Sequence, residues 1–362
     1  MKLLYITNGI NGAGGLERVL SIKASYLVEL YSYDVSILCL NNSAENPFYT
    51  FSNKIKIYSI AVRDSPIQYL LDYKKGIKQI VKQVKPDVIS VCDDGLKGFF
   101  VPRIIGTQIP IIYERHASVN LNTNNSITGK LIRSLMQSQL KCFSRFVVLT
   151  DSNIKEWKGR NIVAIANPLS FAPHSGNSLD QKKVIAVGSH SYNKGYDLLL
   201  KAWKEVIIQY PDWKLSIYGK IDAEKEFVRL AEKLNLKDKV FFFEPVVAIQ
   251  QKYLESSIMV LPSRSEGFGM VLIEAMACGI PCVSFDCPSG PRDIISDGED
   301  GFLIPAQDVS IMVAKIKALI EDEDLRLKMG TTAYENVSRF LPEKIIEKWD
   351  SLFKTIVYEN NL

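Results

Sequence analysis

The stretch Ser263-Arg264-Ser265-Glu266-Gly267-Phe268-Gly269-Met270-Val271-Leu272-Ile273-Glu274-Ala275-Met276-Ala277-Cys278-Gly279-Ile280-Pro281 follows a short apolar run at 258–262. Two glycines precede a run of good helix formers, and Gly279 with Pro281 supplies a stop signal. Strand, glycine turn and helix in that order are the repeating unit of parallel sheets covered on both faces. Glycines at a helix N-terminus let a ligand reach the free backbone N–H groups, where the helix dipole favours phosphate. Glu266 and Glu274 flank that anion site. Carboxylates beside a phosphate repel it unless they bind something neutral, and hydroxyls meet that condition, a sugar on one side and a ribose on the other. The competing reading is that both glutamates only stabilise the first turns of the helix.

The same alternation extends outward. Apolar runs at 3–7, 35–40, 88–92, 109–113, 146–150 and 162–165 read as strands in the first half, and 184–188, 215–218, 240–243, 258–262, 282–285 and 301–304 repeat the scheme. Helical patterns lie at 17–31, 196–210, 224–234, 269–278 and 309–320. Residues 2–9 and 183–188 both look like a first strand running into a glycine turn. The expectation is an α/β chain of two doubly wound parallel-sheet domains, 1–168 and 169–341, with Asn167-Pro168 near the join. The ligand then belongs in the cleft between them, outside the carboxyl ends of the strands. In 342–362, Ile345, Ile346, Trp349, Leu352, Phe353 and Ile356 form an apolar helical stripe that must pack on the second domain or cross back to the first. Crossing back is the expectation adopted.

A chain of 362 residues exceeds what one hydrophobic core usually serves, and its 47% hydrophobic and 23% charged content excludes long disorder. No apolar run reaches the length of a spanning helix, and the N-terminus reads as a strand rather than a signal peptide. Six cysteines without ligand spacing fit buried thiols in a reducing cytoplasm. The net charge of +4 is too small to imply nucleic acid. It is uneven, however: residues 1–170 carry an excess of nine positive charges, and 171–362 an excess of five negative. Lys74, Lys75, Lys78, Lys82 and Lys85 share a helical pattern with Ile77, Ile80, Val81 and Val84, and Lys130, Arg133, Lys141 and Arg145 follow. This is a solvated helix face with its other side in the core, or a basic amphipathic surface for an anionic membrane.

The pair Glu266 and Glu274, with seven residues between, resembles the E-x7-E motif of retaining nucleotide-sugar glycosyltransferases of family 4 (group 1), which have the two-domain GT-B fold. Asn11-Gly12-Ala13-Gly14-Gly15-Leu16-Glu17-Arg18 is similar to that family's N-terminal glycine loop, and Lys194-Gly195-Tyr196-Asp197 to its K-G-x-D segment. Ala166-Asn167-Pro168, 289–295 and 297–303 also sit where the family has comparable segments. The resemblance covers essentially the whole chain and is weakest over 41–134, where such enzymes hold their acceptor.

The resemblance implies roles by position. Glu266 would contact hydroxyls of the transferred sugar, Glu274 the ribose, and the turn Gly267, Phe268, Gly269 and Met270 the sugar and phosphates. Gly14 and Gly15 would lie against the donor diphosphate, and Lys194 would bind its phosphate. Val246 would line the base pocket, and His116, in Glu114-Arg115-His116, would sit near the anomeric carbon. His174 receives no role. It also implies same-face attack, in which the departing phosphate oxygen takes the acceptor's proton, with His116, Lys194 and Glu266 as catalytic groups. No metal and no cofactor is implied. The partners implied are a nucleotide-sugar donor, a UDP sugar in particular, and a glycan or lipid-linked acceptor in surface-polysaccharide synthesis, such as capsule or lipopolysaccharide. One departure is that Gly188-Ser189-His190 stands where the family usually has an arginine after the glycine. His190, Arg264 or Arg115 is expected to compensate, or donor affinity is low. Gly219-Lys220-Ile221-Asp222 also lacks a second glycine often found there.

Three rivals remain open. Gly9-x-x-Gly12-x-Gly14-Gly15 fits a dinucleotide oxidoreductase, but the second strand ends in Asn41-Asn42 where that fingerprint wants an acid. A non-catalytic nucleotide-sugar-binding protein of the same fold would explain the missing arginine. A GT-B epimerase or phosphorylase is the third.

Overall fold

A computed structural model describes residues 1–41, 45–118 and 126–362. Asn42, read with Asn41 at the end of the second strand, and 43–44 and 119–125 of the acceptor region lie outside the described residues. The chain forms two compact units, Met1–Ser170 together with Pro342–Leu362, and Phe171–Leu341.

The first unit holds strands β1 (Lys2–Thr7), β2 (Asp34–Leu40), β3 (Lys56–Ile60), β4 (Val88–Cys92), β5 (Ile111–Glu114), β6 (Arg145–Val148) and β7 (Ile162–Ala164). They form one parallel sheet in the order β3-β2-β1-β4-β5-β6-β7. Along β1, Leu4 and Ile6 enter one apolar cluster and Leu3 and Tyr5 another, the period-two signature of a strand buried on both faces. On the first face lie α2 (Pro66–Val84), α3 (Val101–Ile105) and α4 (Ile127–Gln139), contributing Tyr73, Ile77, Val101, Ile105 and Met136. On the other lies α1 (Gly15–Tyr31), with Leu20, Ala24 and Leu27. Helix α5 (Asp151–Ile154) follows β6, capped by Thr150, which accepts from the Asn153 N–H.

The second unit holds β8 (Lys183–Val187), β9 (Lys214–Tyr218), β10 (Val240–Phe243), β11 (Ile258–Leu261), β12 (Cys282–Asp286) and β13 (Gly301–Pro305), parallel in the order β10-β9-β8-β11-β12-β13. Its helices are α6 (Tyr196–Gln209), α7 (Glu226–Lys233), α8 (Ile249–Leu254), α9 (Met270–Ala277), α10 (Pro291–Ile294), α11 (Val309–Glu321) and α12 (Glu323–Asn336). Each sheet therefore has a topological switch point, at β1/β4 in the first unit and β8/β11 in the second. Loops leaving those strands diverge and leave a crevice at the carboxyl edge.

The last helix, α13 (Pro342–Asn360), belongs to the first unit. Ile345, Ile346, Trp349, Phe353 and Ile356 pack with Leu20, Leu27 and Tyr33, and the Tyr33 hydroxyl donates to Asp350 at 2.8 Å. Leu352, the remaining member of the stripe, is only partly buried. Strand β3 lies at the sheet edge, where the sequence pattern had indicated no strand. Its alternation is blurred because Lys56, Ile57 and Ser59 are exposed there.

Candidate active site

At the switch point of the second sheet, the exit loops of β8 and β11 bring Lys194 and Glu266 together. A single 3-10 turn at Tyr192–Lys194 ends in Gly195, whose φ of +66° starts α6. A Cβ there would lie 2.0 Å from the Pro262 carbonyl oxygen, so only glycine lets the two loops approach this closely. The approach is held by Arg264, whose guanidinium binds Asp197 in bidentate fashion at 2.8 and 2.7 Å and also donates to the Tyr192 carbonyl. Lys194 Nζ then meets Glu266 Oε1 at 2.6 Å, and the Ser263 hydroxyl donates to the same oxygen at 2.6 Å.

Beyond Glu266 the chain turns into α9. Gly269 takes φ +103° as the N-cap, and no side chain caps this helix end. The first amide groups of an α-helix have no intrahelical partner, so an uncapped end offers backbone donors to an anion. The turn is braced from behind: Ser289 Oγ donates to the Glu266 carbonyl at 2.9 Å, and Gly290, at φ +96°, passes so close that a Cβ would lie 2.0 Å from the Phe268 carbonyl oxygen. Phe268 is buried edge-on against Phe340. Segments 289–295 and 297–303 therefore serve this turn or their own fold; Asp300 accepts from the Ser296 N–H and from Asn336. Glu274 lies on the second turn of α9, fully buried, with Tyr253 Oη 3.2 Å from its Oε2. Val246 is half-buried in the loop after β10.

In the first unit, a cavity of about 470 Å³ opens at β1/β4, lined by Asn8, Asn11, Glu17, Asp93 and Asp94 among others. The glycine loop borders it. A Cβ on Gly12 or on Gly14 would lie 2.5 Å from a Glu17 carboxylate oxygen, whereas one on Gly15 meets nothing within 4 Å. The Glu17 carboxylate thus covers part of the loop and supplies negative charge where the resemblance implies a diphosphate.

His116 follows β5 in the same unit. Its backbone N–H and that of Ala117 donate to Asp94 Oδ1, and its Nε2 lies 3.3 Å from Glu114 Oε2. That Glu114 oxygen also accepts from Lys23 Nζ, and the other accepts from the Ser90 hydroxyl. Lys23, Glu114 and Ser90 are fully buried. Burial pushes the Glu114 carboxyl up, but the Lys23 charge and the His116 hydrogen bond outweigh it and bring the carboxyl down to about 2. Among the described residues, Cys92, Glu114 and His116 form one trio with metal-ligand spacing. The Lys23 ammonium already occupies the cation position on Glu114, and burial pushes the Cys92 thiol well up, so the trio is poorly suited to hold a metal.

Residues 171–336 match the model of the family described as glycosyl transferases group 1, and 19–150 that described as glycosyl transferase 4-like. A Haemophilus influenzae protein described as an uncharacterized glycosyltransferase is 32% identical over 360 residues, spanning 97% of this chain and 99% of its own. The chain belongs to the group 1 glycosyltransferases. The amylovoran biosynthesis glycosyltransferase AmsD of Erwinia amylovora is 29% identical over 370 residues, covering 97% of this chain and 99% of AmsD. The solved structure of the pneumococcal O-GlcNAc transferase GtfA with UDP and GlcNAc superposes with a TM-score of 0.79 at 16% identity, covering 99% of each chain. At that identity the likeness is one of fold, and the fold is GT-B.

In this glycosyltransferase the three side chains expected to replace the arginine at Ser189 are engaged elsewhere. His190 is buried among the rings of Tyr196, Phe227 and Phe242, and burial pushes its imidazole below the usual range. Arg264 is held by Asp197, and Arg115 donates to the carbonyls of Asp94 and Ser118. Sequence reasoning also missed Lys23 and Glu17. A signal existed for Lys23, which falls on the α1 face of Leu20, Ala24 and Leu27, a core position that a lysine occupies only with a partner.

Proposed function

We propose that this glycosyltransferase is retaining and metal-independent, and moves a hexose or N-acetylhexosamine from a nucleotide sugar, a UDP sugar in particular, to a glycan or lipid-linked glycan acceptor. The observation that carries this reading is the contact of Lys194 and Glu266 beside the uncapped N-terminus of α9. A cation and a helix end stabilise a leaving diphosphate, and the carboxylate accepts from sugar hydroxyls once donor phosphate takes over the lysine. In the transfer, the bond from the anomeric carbon to the diphosphate oxygen breaks. The acceptor oxygen bonds on the same face, and its proton passes to the departing phosphate oxygen. Glu274 takes the ribose, Gly267, Phe268, Gly269 and Met270 the sugar and phosphates, and Val246 the base. Gly14, Gly15 and His116 act from the first unit. UDP and GlcNAc in GtfA and the polysaccharide role in the name of AmsD support the donor class and the acceptor class.

A cytoplasmic enzyme meeting a lipid-linked acceptor has to reach a membrane surface. Among the described residues no helix is long and apolar enough to cross one. Ile77, Ile80 and Val81 of α2 are buried in the core, so they are not the membrane-facing side. Instead Ile67, Leu70 and Leu71 of α2 and Ile127 and Leu131 of α4 are each more than half exposed, among exposed Lys74, Lys75 and Lys130. We assign these exposed apolar residues and their neighbouring lysines to an anionic membrane.

The non-catalytic reading draws on Ser189, since none of its expected substitutes offers a free charge. Thermal shift against UDP, GDP, ADP and their sugar conjugates, followed by nucleotide release, separates the two. A shift with one nucleotide family plus release of nucleotide supports the enzyme; a shift without release supports the binding protein; no shift removes both.

A further inference from the structure

Three features of the first unit converge on one buried polar cluster. Lys23 is fully buried, with Nζ 4.0 Å from the centroid of the Trp349 ring and 5.0 Å from that of Tyr5. Its charge is met by Glu114, whose two oxygens together take Lys23, the Ser90 hydroxyl and His116 Nε2. A second His116 ring nitrogen, Nδ1, is buried and has no hydrogen-bond partner among the described residues. Burying an ammonium and a carboxylate costs several kcal/mol each, offset only when geometry and further hydrogen bonds are right. A purely structural role would be met as well by two apolar side chains.

We propose that Lys23 and Glu114 are positioning residues for His116: Glu114 fixes the ring proton on Nε2 and leaves Nδ1 as the nitrogen that meets substrate, and Lys23 keeps Glu114 a charged acceptor. An ionised carboxylate can only accept, so the nitrogen facing it carries hydrogen. Its carboxyl is held near 2, so Glu114 is ionised throughout the working range. The other charged groups near His116 are Asp94, taken up by backbone N–H groups and Arg115, and Arg115 itself. Cys92 is a neutral thiol, because burial pushes its titration up. Trp349 and Tyr5 wall the ammonium off, so helix α13 contributes to the placement of His116 through a single ring. The inference rests on the role given to His116 under Proposed function.

The test compares wild type, His116→Ala, Glu114→Gln and the paired variant Lys23→Met/Glu114→Gln, which removes both charges together and so avoids stranding one of them. Ring nitrogen NMR, with the His116 signals assigned by their loss in His116→Ala, reads the tautomer without any substrate. Release of UDP from UDP-GlcNAc and UDP-glucose gives kcat and KM, and melting temperature reports folding. The expected result is Nε2–H in wild type and mixed tautomers in the paired variant. That variant should melt like wild type, keep its donor KM and lose about 10²-fold in kcat. An unchanged tautomer, or wild-type kcat in the paired variant, overturns the inference while leaving the function standing if His116→Ala is inactive. Full turnover in His116→Ala overturns both the role of His116 and this inference.

Discussion

Lys194 Nζ and Glu266 Oε1 lie 2.6 Å apart, each on the exit loop of a different strand of the second sheet. The pair neutralises two groups that the proposed reaction uses separately, one on phosphate and one on sugar hydroxyls. Donor binding therefore moves Lys194 from carboxylate to phosphate, and the sugar hydroxyls replace it as donors to Glu266. Lys194→Ala should lower nucleotide release by about 10²- to 10³-fold. Glu266 is only 10% exposed and keeps the Ser263 hydroxyl as a donor, so stability should fall by about 1–3 kcal/mol without loss of the fold. Loss of turnover accompanied by unfolding in a denaturant titration would contradict this.

Gly290→Ala tests the brace behind the same turn. Its φ of +96° and the 2.0 Å separation between an added Cβ and the Phe268 carbonyl oxygen leave no room for a methyl group. A destabilisation of about 1–3 kcal/mol is expected, together with weaker donor binding because the Phe268-Gly269 turn must move. Equal melting temperatures for variant and wild type would show that the loop yields.

The buried ion pair sets a pH dependence. The Glu114 carboxyl drops from an ordinary 4.5 to about 2 in the folded protein. Its contribution is therefore present above about pH 4.5 and is lost as pH falls through 2. Lys23→Met alone should cost about 3–5 kcal/mol at neutral pH by leaving a buried carboxylate unpaired. The paired Lys23→Met/Glu114→Gln variant should be less sensitive to acid than wild type, read from denaturant midpoints between pH 2 and 6.

His190→Ala separates burial from donor contact. Because the imidazole sits among Tyr196, Phe227 and Phe242, its removal should lower the melting temperature while donor Kd stays within about twofold. A tenfold loss of donor affinity in a well-folded variant would restore it as the substitute for the missing arginine.

For the membrane surface, Leu70→Ser/Leu71→Ser should cut co-sedimentation with vesicles containing anionic lipid by about tenfold or more. Nucleotide release in solution should be unchanged, and wild-type binding should weaken with salt. Salt-independent binding, or none, would remove the assignment.

Much of the fold was legible because parallel strands buried on both faces give short continuous apolar runs, as in Leu3–Thr7 beside the helical pattern of α1. Strand β3 was not, since an edge strand with Lys56 and Ile57 exposed lacks that pattern. The turn Glu266–Met270 was legible through its glycines. The engagement of His190, Arg264 and Arg115 was not, because it depends on partners such as Asp197, Asp94 and Phe242 contributed from other helices, strands and loops. Lys23 was written at a core position of α1, but its partner Glu114 lies 91 residues away, and only the sheet brings them together.

Trp349, the ring lying over Lys23, is contributed by the last helix of the chain. During synthesis the ribosome releases 1–170 first, yet the Trp349 side of Lys23 and the apolar face of Leu20 and Leu27 stay uncovered until some 170 further residues have emerged. The second unit is thus free to fold while the first waits half-finished, holding a charged side chain and an apolar face that only the C-terminus will close. Messages cut short before codon 342 should therefore yield a nascent chain dependent on chaperones, even though every residue of the second unit is present.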